Sequence, residues 1–194
     1  MRKIVAGLFI SLDGVIEDPN EWTGPWFNPE IGQAVGAMIA EQDAMLLGRV
    51  TYADFAAYWP RQTGGMADTM NGTTKYVVSG TLESADWQNT TLIPAANAAA
   101  EIAALKRQPG KNIGMTGSAT LASWLLREGL LDELHLLVFP VVLGSGKRLF
   151  AESSGSPEPA MPAEPAASRD ELSLKLINSA AFETGVVELT YAKA

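Results

Sequence analysis

One feature constrains the fold of this chain more than any other: a strand that passes through a glycine directly into a helix, and it occurs twice. In "LLGRVTYADF", residues 46–55, two leucines typical of a buried strand precede Gly48 and Arg49, and a helical pattern follows. In "GMTGSATLASWLL", residues 114–126, Gly117 and Ser118 stand at the same kind of junction. A strand that leads closely into a helix is the building unit of parallel sheets. The two junctions therefore predict an α/β fold.

Hydrophobic periodicity and turn residues extend this alternation along the chain. Asn28 is suited to cap one predicted helix, with Pro29 in its first turn. Residues 171–192 predict a C-terminal antiparallel hairpin, and 152–170, rich in Pro, Ala and Ser without periodicity, predict a flexible excursion. The other predicted strands are 4–10, 44–48, 75–79, 90–93, 112–116 and 133–142, and the predicted helices are 29–40, 49–59, 97–108 and one that starts at 119.

Length and composition set the broad class. The 194 residues suffice for one domain with a sizeable core, so a single domain is expected. The formal net charge of −8 disfavours nucleic acid and anionic membranes as partners. The apolar stretch 4–10 is too short to span a membrane and no signal-peptide cleavage site follows it. One histidine and no cysteine argue against a zinc site and fit a reducing cytoplasm, so no metal and a cytoplasmic location are expected.

The two junctions also have a chemical meaning. The first N–H groups of a helix have no partner within the helix and carry partial positive charge, so they can bind phosphate, and Arg49 adds a bidentate anion ligand. Hydroxyls of Ser118 and Thr120 can add hydrogen bonds at the second junction. Taken singly, the first junction fits a tight turn beside a solvated arginine better, and the second is also explained by an ordinary N-cap by Ser118. Together they favour a dinucleotide, whose phosphates need more than one set of donors.

Several separated segments, in one order, resemble the dihydrofolate reductase-like superfamily. The resemblance is carried by "SLDGVIEDPNEWTGPWFNPE", "LLGRVTYADF", "KYVVSGTL", "GSATLASWLLREGLLDELHLLVFPVVLGSGKRLF" and "TGVVELTYA". The branch that it resembles most contains the reductase domain of the bifunctional riboflavin-biosynthesis deaminase-reductase. The resemblance covers most of the chain except 152–170. It implies a mostly parallel central sheet flanked by helices, with the C-terminal hairpin.

The same resemblance implies NADPH as the cofactor. Ser79 is then expected near the adenosine 2′-phosphate and Leu12 beside the nicotinamide, at the mouth of the substrate cleft. The residues that the resemblance places around the phosphates are Gly48, Arg49, Thr51, Gly117, Ser118, Ala119, Thr120 and Leu121.

Two acidic residues are candidates for proton transfer. Asp13 either orients substrate and supplies a proton through water, or satisfies backbone amides in a turn with Gly14. Glu30 stands close to where dihydrofolate reductases keep an acidic residue for pterin protonation, but it also suits the first turn of a helix on electrostatic grounds alone.

Candidate substrate contacts are aromatic and basic. Trp22 and Trp26 either line a substrate pocket or anchor a long loop. Lys147 and Arg148 either meet an anionic substrate group such as a phosphate or flank a turn. His135 fits a sheet face or a dimer interface better than a catalytic role. The aromatic residues of the helix after Arg49, which are spaced to cover one face and so predict core packing, are Tyr52, Phe55, Tyr58 and Trp59.

The sequence thus predicts an NADPH-dependent reductase that transfers hydride to a small heterocyclic substrate. The nearest named activity is 5-amino-6-(5-phosphoribosylamino)uracil reductase of riboflavin biosynthesis. The alternatives are reduction of a pterin, dihydrofolate or a xenobiotic, and a nucleotide-binding module without turnover. The apolar strand from Leu134 to Val142 is either a central strand or part of an interface, and with the resemblance it leads us to expect a homodimer.

Overall fold

The computed structural model describes residues 1–150 and 172–194, so the segment 152–170 lies outside the described residues. One eight-stranded sheet organises the described part, in the order β4-β3-β2-β5-β1-β6-β8-β7. All pairings from β4 to β6 are parallel, and β8 pairs antiparallel with both β6 and β7. The predicted mostly parallel sheet with a C-terminal hairpin is confirmed. The strands are β1 Ile4–Ser11, β2 Gln42–Gly48, β3 Thr74–Ser79, β4 Thr90–Pro94, β5 Asn112–Met115, β6 Glu133–Phe139, β7 Leu174–Ala181 and β8 Val187–Lys193.

Helices cover both faces of this sheet, as expected for parallel strands. In β2, Leu46 packs in the apolar cluster that contains α5 and α6, whereas its neighbour Leu47 packs with α3 and α4. On the face that Leu47 shares, α2 lies over β1, where Gly7 leaves room for Met38. The helices are α1 Pro19–Trp22, α2 Pro29–Ala40, α3 Arg49–Tyr58, α4 Gly65–Gly72, α5 Ala98–Arg107 and α6 Ala119–Arg127. No helix of residues 1–150 and 172–194 has the length and apolar character that a membrane crossing requires.

Local sequence signals predicted the bounds of α2 correctly, and other elements differ from the prediction. Helix α2 begins and ends where predicted, and the Asn28 side chain accepts a hydrogen bond from the Ile31 N–H at 3.0 Å, which is the expected N-cap. Strand β6 is shorter than predicted and ends at Phe139, because Pro140 has no N–H to continue the ladder. The predicted loop 11–28 contains helix α1 and a 3₁₀ turn at Gly24–Trp26.

The aromatic face of α3 is only partly in the core. Tyr52 is buried, and Phe55 and Trp59 pack against the same cluster as Trp87. The prediction is wrong for Tyr58, whose side chain is 55% exposed and meets the edge of Trp59 with ring centroids 5.1 Å apart. Trp59 belongs to a 3₁₀ turn after α3, so its direction no longer follows the helical spacing.

A buried lysine joins the end of α4 to the sheet. Lys75, in β3, is fully buried and its Nζ donates to the carbonyl oxygens of Met70 at 2.9 Å, Asn71 at 3.1 Å and Thr73 at 2.6 Å. The ammonium also lies 4.1 Å from the centroid of the Trp87 ring. These carbonyls close a helix C-terminus, where a cation is favourable. Burial opposes the charge and lowers the pKa of Lys75 to about 8.

We predict that Lys75→Met lowers the free energy of unfolding by about 2 to 4 kcal/mol, because three carbonyls lose a charged donor while the side-chain volume is kept. The folded protein releases the Lys75 proton near pH 8, whereas the unfolded chain keeps it up to its ordinary value of 10.5. Stability rises with pH where the unfolded state binds more protons. The difference between wild type and variant should therefore grow between pH 8 and 10.5, as measured by urea unfolding.

Lys175→Met is the matched control, because Lys175 lies exposed on β7. Its free energy of unfolding should stay within about 0.5 kcal/mol of wild type. Equal stability of the two variants would contradict the capping role. A flat difference across that pH range would show that the carbonyls and the indole ring hold the ammonium charged.

Candidate functional site

An open cleft lies at the edge of the sheet where the parallel strands end, the usual place for ligands in such sheets. The empty space within it, counted together with open solvent, is about 600 Å³. The cleft brings together the ends of β2, β3 and β5 and the starts of α3 and α6. The residues predicted from the sequence that line it are Gly48, Arg49, Ser79, Ser118, Thr120, Leu121 and Lys147.

The two glycine junctions pack against each other behind this cleft. A Cβ atom on Gly48 would lie 2.8 Å from Ser118 Oγ, and one on Gly117 would lie 2.8 Å from Thr51 Oγ1. Each glycine thus leaves room for a hydroxyl residue of the other junction. Thr51, Gly117 and Ala119, which were also predicted to bind cofactor, are not among the residues that line the cleft, and Ala119 is buried. The peptide bond between Gly117 and Ser118 is cis.

The cleft is electrostatically distinct from the rest of the protein. Among the described residues that line it, Arg49 and Lys147 are the only ionisable ones, and both are basic. The N-termini of α3 and α6 open beside them, with Gly48 and Ser118 at the N-cap positions. Two cations and two helix N-termini in a chain of net charge −8 make this a place for an anion.

Hydroxyl residues complete the lining. Ser118 Oγ accepts from the Leu121 N–H at 3.4 Å, so Ser118 is both an N-cap and a cleft residue. Ser79 Oγ accepts from the N–H groups of Thr81 at 3.1 Å and Leu82 at 3.0 Å. This turn presents Thr81, which sequence analysis missed, although a hydroxyl residue just after a parallel strand could have signalled it. The other missed lining residues are Val50, Val78, Gly80 and Ala95.

Asp13 lies at the end of β1 and is saturated with hydrogen bonds. Its Oδ1 accepts from Ser11 Oγ at 2.7 Å and from the Leu143 N–H at 3.1 Å, and its Oδ2 accepts from the Gly144 N–H at 2.9 Å. These donors, Ser11 first, hold the pKa of Asp13 well below its usual range. The carboxylate stays ionised near neutral pH. This disfavours proton donation by Asp13, and the turn with Gly14, whose φ is +85°, matches the backbone alternative.

The remaining candidates lie outside the lining of the cleft. Leu12 is 63% exposed at the end of β1. Trp22 packs edge-on against Phe139 with centroids 5.6 Å apart, and its Nε1 donates to the Glu17 carbonyl at 2.8 Å. Trp26 packs on the same apolar cluster, so both tryptophans anchor their loop.

Two charged candidates also stand apart from it. Glu30 is exposed in the first turn of α2, and its Oε2 accepts from the Glu183 N–H at 3.3 Å. Arg148 binds Asp13: its Nε donates to the Asp13 carbonyl at 2.8 Å, and its Nη2 lies 3.4 Å from Asp13 Oδ2. Glu30 thus contacts the turn of the C-terminal hairpin, and Arg148 contacts the loop after β1.

His135 has a structural partner. Its Nε2 lies 3.0 Å from Glu133 Oε2 on the same strand, and the ring is half-buried on the sheet. Within the described ranges, no three His, Cys, Asp or Glu side chains gather as a metal ion would require.

Fold and cleft together define an α/β protein of dihydrofolate reductase-like fold, with a cleft at the sheet edge that Arg49 and Lys147 line. The model of the RibD C-terminal domain family matches residues 2–187, and the chain belongs to this family.

Two relatives come from Bacillus subtilis (strain 168). The uncharacterized protein YyaP is 29% identical over 98% of this chain and 94% of its own length. The uncharacterized protein YwjB is 34% identical over 78% of this chain and 84% of its own length.

Solved structures share the fold at lower identity. A protein from Shewanella sp. PV-4, whose name assigns it to riboflavin biosynthesis, superposes with a TM-score of 0.70 at 23% identity, over 100% of this chain and 99% of its own. A pyrimidine reductase-like protein from Corynebacterium diphtheriae gives 0.66 at 15% identity, over 100% and 92%. Dihydrofolate reductase from Enterococcus faecalis, complexed with NADP(H) and RAB-propyl, gives 0.61 at 15% identity, over 98% and 96%. At these identities the likeness establishes the fold.

We predict that Gly48→Ala lowers the free energy of unfolding by about 1 to 3 kcal/mol, because the added methyl group meets Ser118 Oγ and displaces the N-cap of α6. Gly36→Ala is the matched control. Gly36 lies within α2 with no atom within 4 Å of an added Cβ, so alanine should stabilise the protein slightly. Urea unfolding checks both, and equal stability of the two variants would contradict the tight packing of the junctions.

Proposed function

We propose that this protein is an NADPH-dependent reductase that transfers hydride to a small heterocyclic substrate. The observation that carries the proposal is the cleft itself, which places Arg49 and Lys147 beside two helix N-termini in an acidic protein. Membership of the RibD C-terminal domain family supports a reductase-type function. The Enterococcus faecalis reductase of the same fold was solved with NADP(H).

The cofactor would be held by this chain mostly through backbone groups. The N–H groups at the starts of α3 and α6 and the Arg49 guanidinium suit its phosphates, and the Ser79–Thr81 turn suits the 2′-phosphate. When bound, NADPH supplies the hydride. The chain then has to orient the cofactor, limit access of water and provide a proton.

The substrate would lie next to the nicotinamide, near Leu12. Leu12 and Val142 are 63% and 67% exposed, and they give this mouth an apolar surface. Asp13 is ionised, so we do not assign it the proton. Glu30 stays a prediction for that role, since it is exposed at the same edge of the sheet. The nearest named activity that we propose is 5-amino-6-(5-phosphoribosylamino)uracil reductase, with a pterin or a xenobiotic as alternative substrates.

A cytoplasmic homodimer completes the proposal. Strand β6 pairs with β1 and β8 within one chain, so its apolar residues serve the core and do not argue for an interface. Exposed apolar side chains lie instead on the edge strand β7, at Leu176 and Ile177. Sedimentation velocity decides the question, because a monomer across the micromolar range would exclude the dimer.

The activity is tested by mixing the protein with NADPH and a panel of uracil-ribosylamine, pterin and quinone substrates, and following the absorbance of the reduced nicotinamide. We expect consumption with one class of substrate. Binding of NADPH without consumption by any of them would favour a nucleotide-binding module. Absence of NADPH binding would refute the proposed function.

We predict that Arg49→Ala weakens NADPH binding about tenfold or more and NADH binding much less, because a charge-assisted contact to the 2′-phosphate is lost. Arg61→Ala is the matched control, since Arg61 is exposed in the 3₁₀ turn after the far end of α3. Titration of nicotinamide fluorescence measures both affinities. Equal weakening of NADPH and NADH would place Arg49 on the pyrophosphate and remove its role at the 2′-phosphate.

A further inference from the structure

Two loops that are far apart in sequence are joined at the carboxyl edge of the sheet. The segment after β1 and the loop after β6 form a short antiparallel ladder, in which the Ile16 N–H donates to the Lys147 carbonyl at 2.9 Å and the Leu149 N–H donates to the Gly14 carbonyl at 3.0 Å. Val15 and Arg148 face each other between these bonds. The loop after β6 therefore has a defined path over the end of β1.

Asp13 is the centre of this junction. Its carboxylate binds the N–H groups of Leu143 and Gly144, and its own carbonyl accepts from Arg148 Nε. One residue thus contacts the loop on both sides of Lys147. The Lys147 N–H itself donates to Glu17 Oε2 at 3.1 Å.

The path of this loop brings Lys147 to the cleft. The strand before its loop, β6, is separated by β1 from β5, yet Lys147 lines the cleft together with Ser118, Thr120 and Leu121 at the start of α6. No carboxylate of the described residues forms an ion pair with its ammonium. A lysine with both backbone groups bound and its side chain beside a helix N-terminus suits an anionic ligand.

We propose that Lys147 is the second cation of the cofactor cleft and contacts a phosphate of the bound dinucleotide, and that Asp13 is the positioning residue that holds it there. The inference rests on the proposed function and extends it. Asp13 then acts as a permanent carboxylate through the loop and transfers no proton. The role of Lys147 also differs from the one predicted for it, since its phosphate belongs to the cofactor and not to the substrate.

The test is a double-mutant cycle on the dissociation constant for NADPH, measured without substrate so that no substrate phosphate is present. We expect Lys147→Ala and Asp13→Ala each to weaken binding about five- to twentyfold. The double variant should be no weaker than Lys147→Ala, because Asp13 has no effect once the lysine is gone. Lys147→Arg should bind nearly as well as wild type. Lys175→Ala, which removes an exposed charge far from the cleft, should change nothing.

The other possible results of this experiment each contradict a specific proposal. Wild type that does not bind NADPH overturns the proposed function and this inference with it. Wild type that binds, with Lys147→Ala binding equally well, overturns this inference alone. If the fold-losses in NADPH affinity of the two single variants multiply in the double variant, the positioning role of Asp13 is overturned. A general loss of stability on removal of Asp13 would weaken binding equally in wild type and in Lys147→Ala. If Asp13→Ala does not fold, Asp13→Asn replaces it, since asparagine keeps the volume but cannot accept from both backbone N–H groups through two oxygens.

Discussion

The close contact between two strand-to-helix junctions is the constraint on which the site depends. Gly48 leaves room for Ser118, and Gly117 leaves room for Thr51, so α3 and α6 begin side by side although more than sixty residues separate them. A Cβ atom at either glycine would lie 2.8 Å from the hydroxyl oxygen of the facing residue, so the contact would have to shift. The absence of two Cβ atoms therefore lets two helix N-termini, which can each attract an anion, lie at one place.

The charge of the protein makes this site selective. A chain with 22 acidic and 14 basic residues repels anions over most of its surface, so an anionic ligand can bind only where the chain concentrates opposite charge. The cleft does so with two cations that come from opposite sides of it: Arg49 at the start of α3, and Lys147 from the loop after β6. The dipoles of the two helix N-termini add to the positive charge of these two side chains in the cleft.

Sequence reasoning succeeded where the cause is local. The bounds of α2 followed from Asn28, Pro29 and apolar spacing, all within one segment. It failed where partners are distant in the chain. The donors to the Asp13 carboxylate include Leu143 and Gly144, about 130 residues away, so its saturation could not be read from a "DG" pair. The buried Lys75 was missed because in sequence it is a polar residue at the start of a strand, and only the end of α4 and Trp87 explain it.

The two parts of the proposed site are built from different kinds of residue. The part that we propose binds the cofactor consists mostly of glycines, helix starts and short hydroxyl residues, so many sequences can build it while they keep the fold. The region beside Leu12 has larger side chains, with Leu12 exposed at the end of β1 and Trp22 packed on Phe139 where it anchors its loop. A change at Leu12 would alter the exposed surface there without disturbing the cleft. Family membership therefore says more about the cofactor of this protein than about its substrate, which has to be argued from the side chains around Leu12.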